Sequence, residues 1–402
     1  MDDSTTGAAS VALGTLIGYF GAEAASDDIF DHILWPERYW NGFSPAFALP
    51  IALLMPMGGP MHKAMLKTLD RLAAHGLFRG PAQGHMLGTA FYPDSGISYN
   101  LHRDGEVQRK SCRNCLWIGA VGRMPIPEIG PKAKGTECAT SASSRVLRSR
   151  TALSILTLSR GGKTESSTSQ RVPIDVGAVR WRTFAALACS ELSAVVFSII
   201  AAGVGRSLLS CIWLLPLVLK LISAVFSMER EGLQSTAASE EEGSCIAEIR
   251  LPNHGALLIQ GSDTLVMQFF RHYGHPKRNR GREILQMGIV VGFGLLFPLG
   301  LVLSLSCMSS TMRYLWFGYQ LYATLVMHIC RYCQCRTWCT AEQRITRLFS
   351  DGHGGPIANC LELRDGTGSS VLARLSTTYY DRQAEGEEAM RQVLLRVSPS
   401  AA

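Results

Sequence analysis

Long apolar runs dominate this chain, and period-two alternation is clear in only one place. Thr183 to Val204 and Ser207 to Phe226 are mostly apolar limbs joined by a turn around Gly203 and Gly205. Ile284 to Cys307 and Tyr314 to Tyr332 repeat the design, joined by Met308 to Arg313. A helix of about 20 apolar residues matches a hydrocarbon core of about 30 Å. The pattern predicts two membrane hairpins, over residues 181–227 and 284–333.

Residues 8–25 and 42–60 are also apolar and near spanning length, but Glu23 interrupts the first and Pro45, Pro50 and Pro56 the second. Prolines persist in such helices only where neighbours satisfy the freed backbone groups. The two stretches therefore cross the membrane, lie in its interface or pair as soluble helices. If they cross, the acidic loop Ser26 to Asn41 brings Trp35, Tyr39 and Trp40 to an outer interface. From His62 to Phe78, Lys63, Lys67, Arg71 and His75 recur every four residues opposite Met65, Leu66, Leu69, Leu72 and Ala73. This is a basic amphipathic helix, suited either to an anionic leaflet or to the surface of a small domain.

Periodicity fails from residue 80 to 180, where Gly, Pro, Ser, Thr and Arg dominate, and a flexible cytosolic linker is expected. Between the hairpins, in residues 228–283, Cys245, Ala247, Ile249 and Leu251 oppose Glu248 and Arg250, with Ile246 out of pattern. Pro252 to Gly255 turns the chain and Ala256 to Gln260 returns it, a β-hairpin. Asp263 then opens a helix with the stripe Leu265, Val266, Phe269, Phe270 and Tyr273, ended by Gly274 and Pro276, completing a ββα module. The 334–402 tail carries a helix introduced by Thr340 and Gln343 and running to Phe349, and a second from about Asp381 to Arg396. The expected architecture is a mainly α integral membrane bundle of two hairpins with a small cytosolic α+β insertion. It has four spans, or six if the apolar stretches of the N-terminal region 1–79 cross as well.

Charge orients this arrangement. Charged residues make up 18% of the chain and the net charge is +7, concentrated beside the apolar stretches. Arg145 to Arg182 holds eight basic residues against Glu165 and Asp175, whereas the hairpin turns hold only Arg206 and Arg313. The positive-inside rule then puts both turns outside and both termini in the cytosol of an endomembrane or plasma membrane. Topology thus accounts for the basic charge without a nucleic-acid partner. None of the twelve cysteines falls in an extended outside segment, so reduced thiols are expected.

Among polar residues, Glu191 and Lys220 sit at matching depth, about 13 Å from the cytosolic ends of their helices. Ionisable groups in spans usually pair and face the interior, so an ion pair is expected, with Tyr319, Gln320 and Tyr322 at comparable depth. Such a pair either fixes helix register or lines a polar pocket for a headgroup or a proton step. Cys330, Cys333, Cys335 and Cys339 lie where the last span meets the cytosol and suit S-palmitoylation. A zinc site there would need His328, His353 or Cys360 as well. Cys112 and Cys115, with Cys138, make half of a zinc pattern in what reads as linker. Arg271, His272 and His275 form a membrane-proximal motif that resembles one histidine box. With His254 the histidines offer a small metal site, although an interfacial anchor fits them better. Asp27, Asp28 and Asp31 spell the DDxxD of diphosphate-binding enzymes without its second acidic motif, and Gly162-Lys163-Thr164 lacks the first glycine of a phosphate loop. No cofactor or resident metal is expected. Gly288 and Gly292 form a GxxxG surface for internal packing or a homodimer.

Trp213-Leu214-Leu215-Pro216-Leu217, Gln268 to Pro276 and Tyr314 to Gln320 resemble segments of uncharacterised multi-pass membrane proteins of filamentous fungi. The resemblance covers roughly Trp181 to Phe349. It implies an endomembrane or plasma-membrane protein without an assigned reaction, of a kind that accompanies secondary-metabolite pathways. The expected function is a non-enzymatic scaffold or accessory factor that organises lipid and protein partners on the cytosolic face. The alternative is a membrane enzyme or small-solute carrier working through Glu191 and Lys220.

Overall fold

A computed structural model describes residues 3–25, 29–40, 43–73, 97–103, 105–112, 114–126, 151–160, 170–173, 176, 178–205, 208–233, 243–251, 254–271, 273–333, 340–351, 360–364 and 370–397. In chain order the helices and strands are α1 (Asp3–Ala24), α2 (Asp31–Leu34), α3 (Pro36–Trp40), α4 (Ala48–Leu54), α5 (His62–Leu72), β1 (Ser98–Arg103), β2 (Glu106–Ser111), α6 (Leu116–Val121), β3 (Thr151–Arg160) and β4 (Gln170–Pro173). They continue with α7 (Trp181–Ser190), α8 (Leu192–Gly205), a 3₁₀ segment (Leu208–Leu214), α9 (Leu215–Val225), β5 (Ser244–Leu251), β6 (Gly255–Ser262) and α10 (Asp263–Arg271). The last are α11 (Arg280–Ser306), α12 (Ser310–Cys333), α13 (Ala341–Asp351), β7 (Cys360–Arg364), β8 (Ser370–Tyr380) and α14 (Gln383–Val397). The chain divides into two compact units that alternate along it. One comprises Met1–Pro93, Asp175–Arg230 and Pro276–Thr340, and the other Asp94–Ile174, Glu231–His275 and Ala341–Ala402.

The first unit is helical, but it is not the expected set of spans. Leu208–Val225 and Arg280–Ser306 are long and apolar enough to cross a membrane, and α7 with α8 qualifies as a third if the pair, bent by 49°, counts as one span. Among the described residues, four to six spans are thus replaced by two or three. α12 does not qualify because Arg313, Tyr314, Tyr319, Gln320, Tyr322, His328 and Arg331 interrupt its 24 residues. Residues 42–60 break up at their prolines: a 3₁₀ turn at Pro45–Phe47, the seven-residue α4, then non-helical chain through Met55 to Met61. Asn279 caps α11, its side chain accepting from the Arg282 N–H at 3.2 Å. The amphipathic α5 buries Ala64, Met65, Thr68 and Leu72, and Gly294 of α11 lies so close that a Cβ there would meet Met65. Its basic face is paired, Lys63 with Glu23 and Arg71 with Asp31 at 2.5 Å. Outward faces are apolar: Ile199 is 67% and Val302 59% exposed.

The second unit overturns the expectation of a mainly α chain. Its strands form one eight-stranded mixed sheet in the order β2-β1-β5-β6-β3-β8-β7-β4. The β5–β6 hairpin is present, antiparallel from Ser244↔Ser262 to Leu251↔Gly255, and α10 follows with its whole apolar stripe buried. The ββα segment is not a free-standing module, however. β3 and β4, from the presumed linker, and β7 and β8, from the presumed tail, are integral to the sheet. β3 pairs with β8 over ten residues and runs parallel to β6. Helices cover both faces of the centre. Leu153, Ile246 and Leu258 pack on Met390 of α14. Gly261 shares the opposite face with Leu257 and Ile259, and a Cβ there would touch Val266 of α10. Cys112 and Cys115 belong to this unit rather than to a linker, while Cys138 lies outside the described residues.

Candidate functional site

In the helical unit, Glu191 and Lys220 meet at the break between α7 and α8. α7 ends at Ser190, and Glu191 leaves the helix at φ −109°, ψ 15°, so its side chain turns toward the interior. The Lys220 ammonium lies 2.5 Å from Glu191 Oε1, and both side chains are wholly buried. Lys220 Nζ also donates to Ser190 Oγ at 2.7 Å and to the Met55 carbonyl at 3.2 Å. Glu191 Oε1 accepts the Met57 N–H at 2.8 Å. The pair thereby grips the non-helical chain after α4, whose backbone groups have no helical partner. Two further side chains serve the same stretch: the Tyr322 hydroxyl donates to Leu53 O at 2.5 Å, and the Cys330 thiol donates to Leu54 O. Irregular backbone inside a hydrophobic bundle persists only when its polar groups are satisfied in this way.

Around the grip, several buried polar atoms lack a hydrogen-bond partner among the described residues: Glu191 Oε2, Ser193 Oγ, Trp213 Nε1, Tyr319 Oη and Gln320 Oε1. Trp213, Tyr319 and Gln320 line a cavity of about 20 Å³, large enough for one water molecule. The structure thus gathers Glu191, Lys220, Tyr319 and Tyr322 about one segment and puts Gln320 at the neighbouring void. Hydropathy and spacing gave no sign of Gln286, which is fully buried on α11 and donates to the Ser223 and Phe226 carbonyls at 3.0 Å each, closing the end of α9. His32 stacks on Tyr39 with ring centroids 4.1 Å apart. Burial, reinforced by the charge of Lys220, pushes its pKa down to about 4.

In the sheet unit a cleft of about 340 Å³ opens beside α14, bordered by Arg250, His254, Gln383 and Glu387. His254 is 5% exposed and neither ring nitrogen has a hydrogen-bond partner among the described residues. Burial lowers its pKa, outweighing an opposing contribution from the Met124 carbonyl. Its position follows from the β5–β6 turn, where the His254 carbonyl accepts from the Ala152 N–H at 2.9 Å. The only sequence sign of a covered second face was Ile246, the residue out of pattern in β5. Glu248 on that strand accepts from His102 and Asn100 at 3.1 and 3.3 Å. Desolvation raises its pKa, but these bonds and one from Arg250 outweigh it, leaving the net value below the ordinary carboxylate range.

The other candidates are scattered. Cys330 is half-buried, while the side chain of Cys333 and all of Cys335 and Cys339 lie outside the described residues, as do Asp27, Asp28, Gly162, Lys163, Thr164 and His272. Asp31 is taken up by Arg71. Gly292 faces Leu219 of α9, where a Cβ would stand 3.4 Å from Cδ1, whereas a Cβ on Gly288 would meet nothing within 4 Å. Arg271 is exposed at the end of α10, and His275 is half-buried with its carbonyl accepting from Glu231 N–H at 2.8 Å. Among the described residues no three or more His, Cys, Asp or Glu side chains converge as a metal site. No known protein family, curated protein or solved structure matches the chain.

Proposed function

We propose that this chain is a membrane-anchored, non-enzymatic accessory protein whose helical unit is the anchor and whose sheet unit is the working part. The observation that carries this reading is that Glu191 and Lys220 are engaged in holding residues 55–57, beside a void of about 20 Å³. A carrier or membrane enzyme would need room there for a substrate, and pockets for small ligands usually measure about 300 Å³ or more. The apolar outer faces of α8, α9 and α11 fit a lipid surrounding, and the flanking arginines favour a cytosolic sheet unit in a multi-pass arrangement. Glu191 Oε2, Ser193 Oγ and Tyr319 Oη, buried without a hydrogen-bond partner among the described residues, favour the second reading, a polar-solute or proton site.

Cysteine accessibility separates the two. Ser193→Cys is introduced into the full chain in membranes, with Ser309→Cys as the exposed control, and labelled with a small, charged, thiol-specific reagent. The anchor reading expects labelling at 309 and protection at 193. Labelling at 193 at a comparable rate would mean an aqueous path to Glu191 and would overturn it.

A further inference from the structure

One end of the sheet gathers the termini of four strands and the start of a helix. β8 ends at Tyr380 opposite Thr151, the first residue of β3. β3 runs parallel to β6, with Ala152 beside Gly255, and β5 ends there at Leu251. The 15-residue α14 begins just after β8, at Gln383, and Met390 packs it on Leu153, Ile246 and Leu258. Between its first turns and the strand ends lies the cleft of about 340 Å³, a size found among small-ligand pockets of roughly 300–1,000 Å³.

Three hydrogen-bond donors border it. Gln383 and Gly386 of α14 line the cleft, and the N–H groups of a helix's first turn have no partner within the helix, whose dipole makes that end electropositive. Arg250 faces the cleft from β5. Glu248 Oε1 accepts from its Nε at 3.4 Å, which steadies the guanidinium and leaves the terminal nitrogens for another acceptor. His254 lines the cleft from the β5–β6 turn, 5% exposed, with neither ring nitrogen hydrogen-bonded among the described residues. The Met124 carbonyl stands near the ring but outside hydrogen-bond geometry. The turn that carries it is fixed, since the His254 N–H donates to Leu251 O at 3.2 Å and its carbonyl accepts from the Ala152 N–H at 2.9 Å. Burial favours the neutral imidazole, which offers one N–H and one lone pair, and buried groups of this kind are seldom left unmet.

The remaining lining decides what fits. Leu153, Leu251, Ala256 and Met390 supply apolar surface. Glu387 is the one acid among the described lining residues, and the Gln383 side-chain amide already donates to it at 2.9 Å. A dianion such as phosphate meets that carboxylate and makes no use of the apolar surface, whereas a monoanion with an apolar body suits both. We infer that the cleft binds a small monocarboxylic acid with an apolar or aromatic body. Arg250 and the start of α14 hold its carboxylate, Leu153 and Met390 take its body, and His254 donates to a ligand oxygen. Every one of these residues belongs to the sheet unit, so the site does not depend on whether the helical unit crosses a membrane.

The test titrates 2-naphthoate calorimetrically into the full chain in nonionic detergent, with protein-free micelles as the blank, alongside 2-naphthamide and inorganic phosphate. The parent binds 2-naphthoate at one equivalent, and the neutral amide and phosphate bind at least about tenfold more weakly, the scale of one charge-assisted hydrogen bond. Arg250→Gln, at an exposed position, and His254→Leu each weaken 2-naphthoate binding by about tenfold or more. Arg109→Gln, on the edge strand β2 and outside the cleft, leaves it unchanged. His254→Leu also raises the melting temperature of the ligand-free chain, because it removes two unmet nitrogens. A fall instead would show that the histidine is kept for structure and would overturn its part in the site. No binding by the parent would overturn the inference, as would equal affinity for the amide or for phosphate, or parental affinity in Arg250→Gln.

Discussion

Replacing Lys220 by methionine removes three contacts at once, to Glu191 Oε1, Ser190 Oγ and Met55 O. It leaves a wholly buried carboxylate without its counter-charge. Breaking one partner of a buried pair costs about 3–5 kcal/mol. Glu191→Gln keeps an acceptor for the Met57 N–H but strands the ammonium among neutral oxygens, and its cost falls in the same range. The paired variant, Glu191→Gln with Lys220→Met, carries no buried charge. Its main loss is the partner of the Met55 carbonyl, about 1–3 kcal/mol. The double-mutant cycle therefore carries a coupling of about 3 kcal/mol or more. At about 2–4 °C per kcal/mol for a unit of this size, each single variant melts roughly 10 °C below the parent, and the paired variant recovers much of the difference. Intrinsic fluorescence in detergent reads it out, since Trp35, Trp40, Trp213 and Trp316 are buried in this unit. Additive losses, with the paired variant least stable of all, would refute the claim that the two charges exist for each other.

Two further outcomes follow from local geometry. At Gly255, φ is +119° and a Cβ would stand 2.2 Å from the Ala152 carbonyl oxygen, so Gly255→Ala forces β6 away from β3. A loss on the order of 3 kcal/mol is expected, measured as a lower urea midpoint for the sheet unit with Trp117 emission as the probe. His32 has its pKa depressed to about 4, against about 6.5 unfolded, so the unfolded chain binds the proton first as pH falls. Its contribution is whole above about pH 6.5 and drains away toward pH 4, by up to about 3 kcal/mol. His32→Gln should flatten the stability profile over that window relative to the parent, and an unchanged slope would contradict the depressed value.

Hydrophobic runs were legible in the sequence as helices, but among the described residues only two or three of them qualify as spans. Thr183 to Val204 reads as one limb, yet the chain breaks at Glu191 because its carboxylate serves a backbone segment far away in sequence, which no local pattern reveals. α12 keeps its helix and loses its claim to cross on composition alone, through its tyrosines, arginines and Gln320. The sheet was harder. β5 and β6 declared themselves by alternation and a short turn, whereas β3, Thr-Ala-Leu-Ser-Ile-Leu-Thr-Leu-Ser-Arg, is buried at five of ten positions. A strand covered on both faces loses clean alternation, and Ser and Thr within it mimic a loop. Ser154 occupies a wholly buried position and reaches Thr377 Oγ1 of β8 at 3.1 Å. That contact is unforeseeable without knowing that β8 lies alongside.

The site divides in the same way. The rule that ionisable groups in apolar helices seek one another singled out Glu191 and Lys220. Their common client, Met55 to Met57, stayed hidden because an unsatisfied backbone has no sequence signature beyond the prolines that create it. Chain order adds a consequence for assembly. β3 lies between β6 and β8, so one edge of the central strand stays open until residue 380 has been made. Both hydrophobic stretches, 175–230 and 276–340, are synthesised before that edge closes. Non-local pairing of this kind is slow and exposes strand edges. A chain truncated before β8 therefore presents an open ten-residue edge of β3, and its loss of solubility would report on this pairing rather than on the membrane helices.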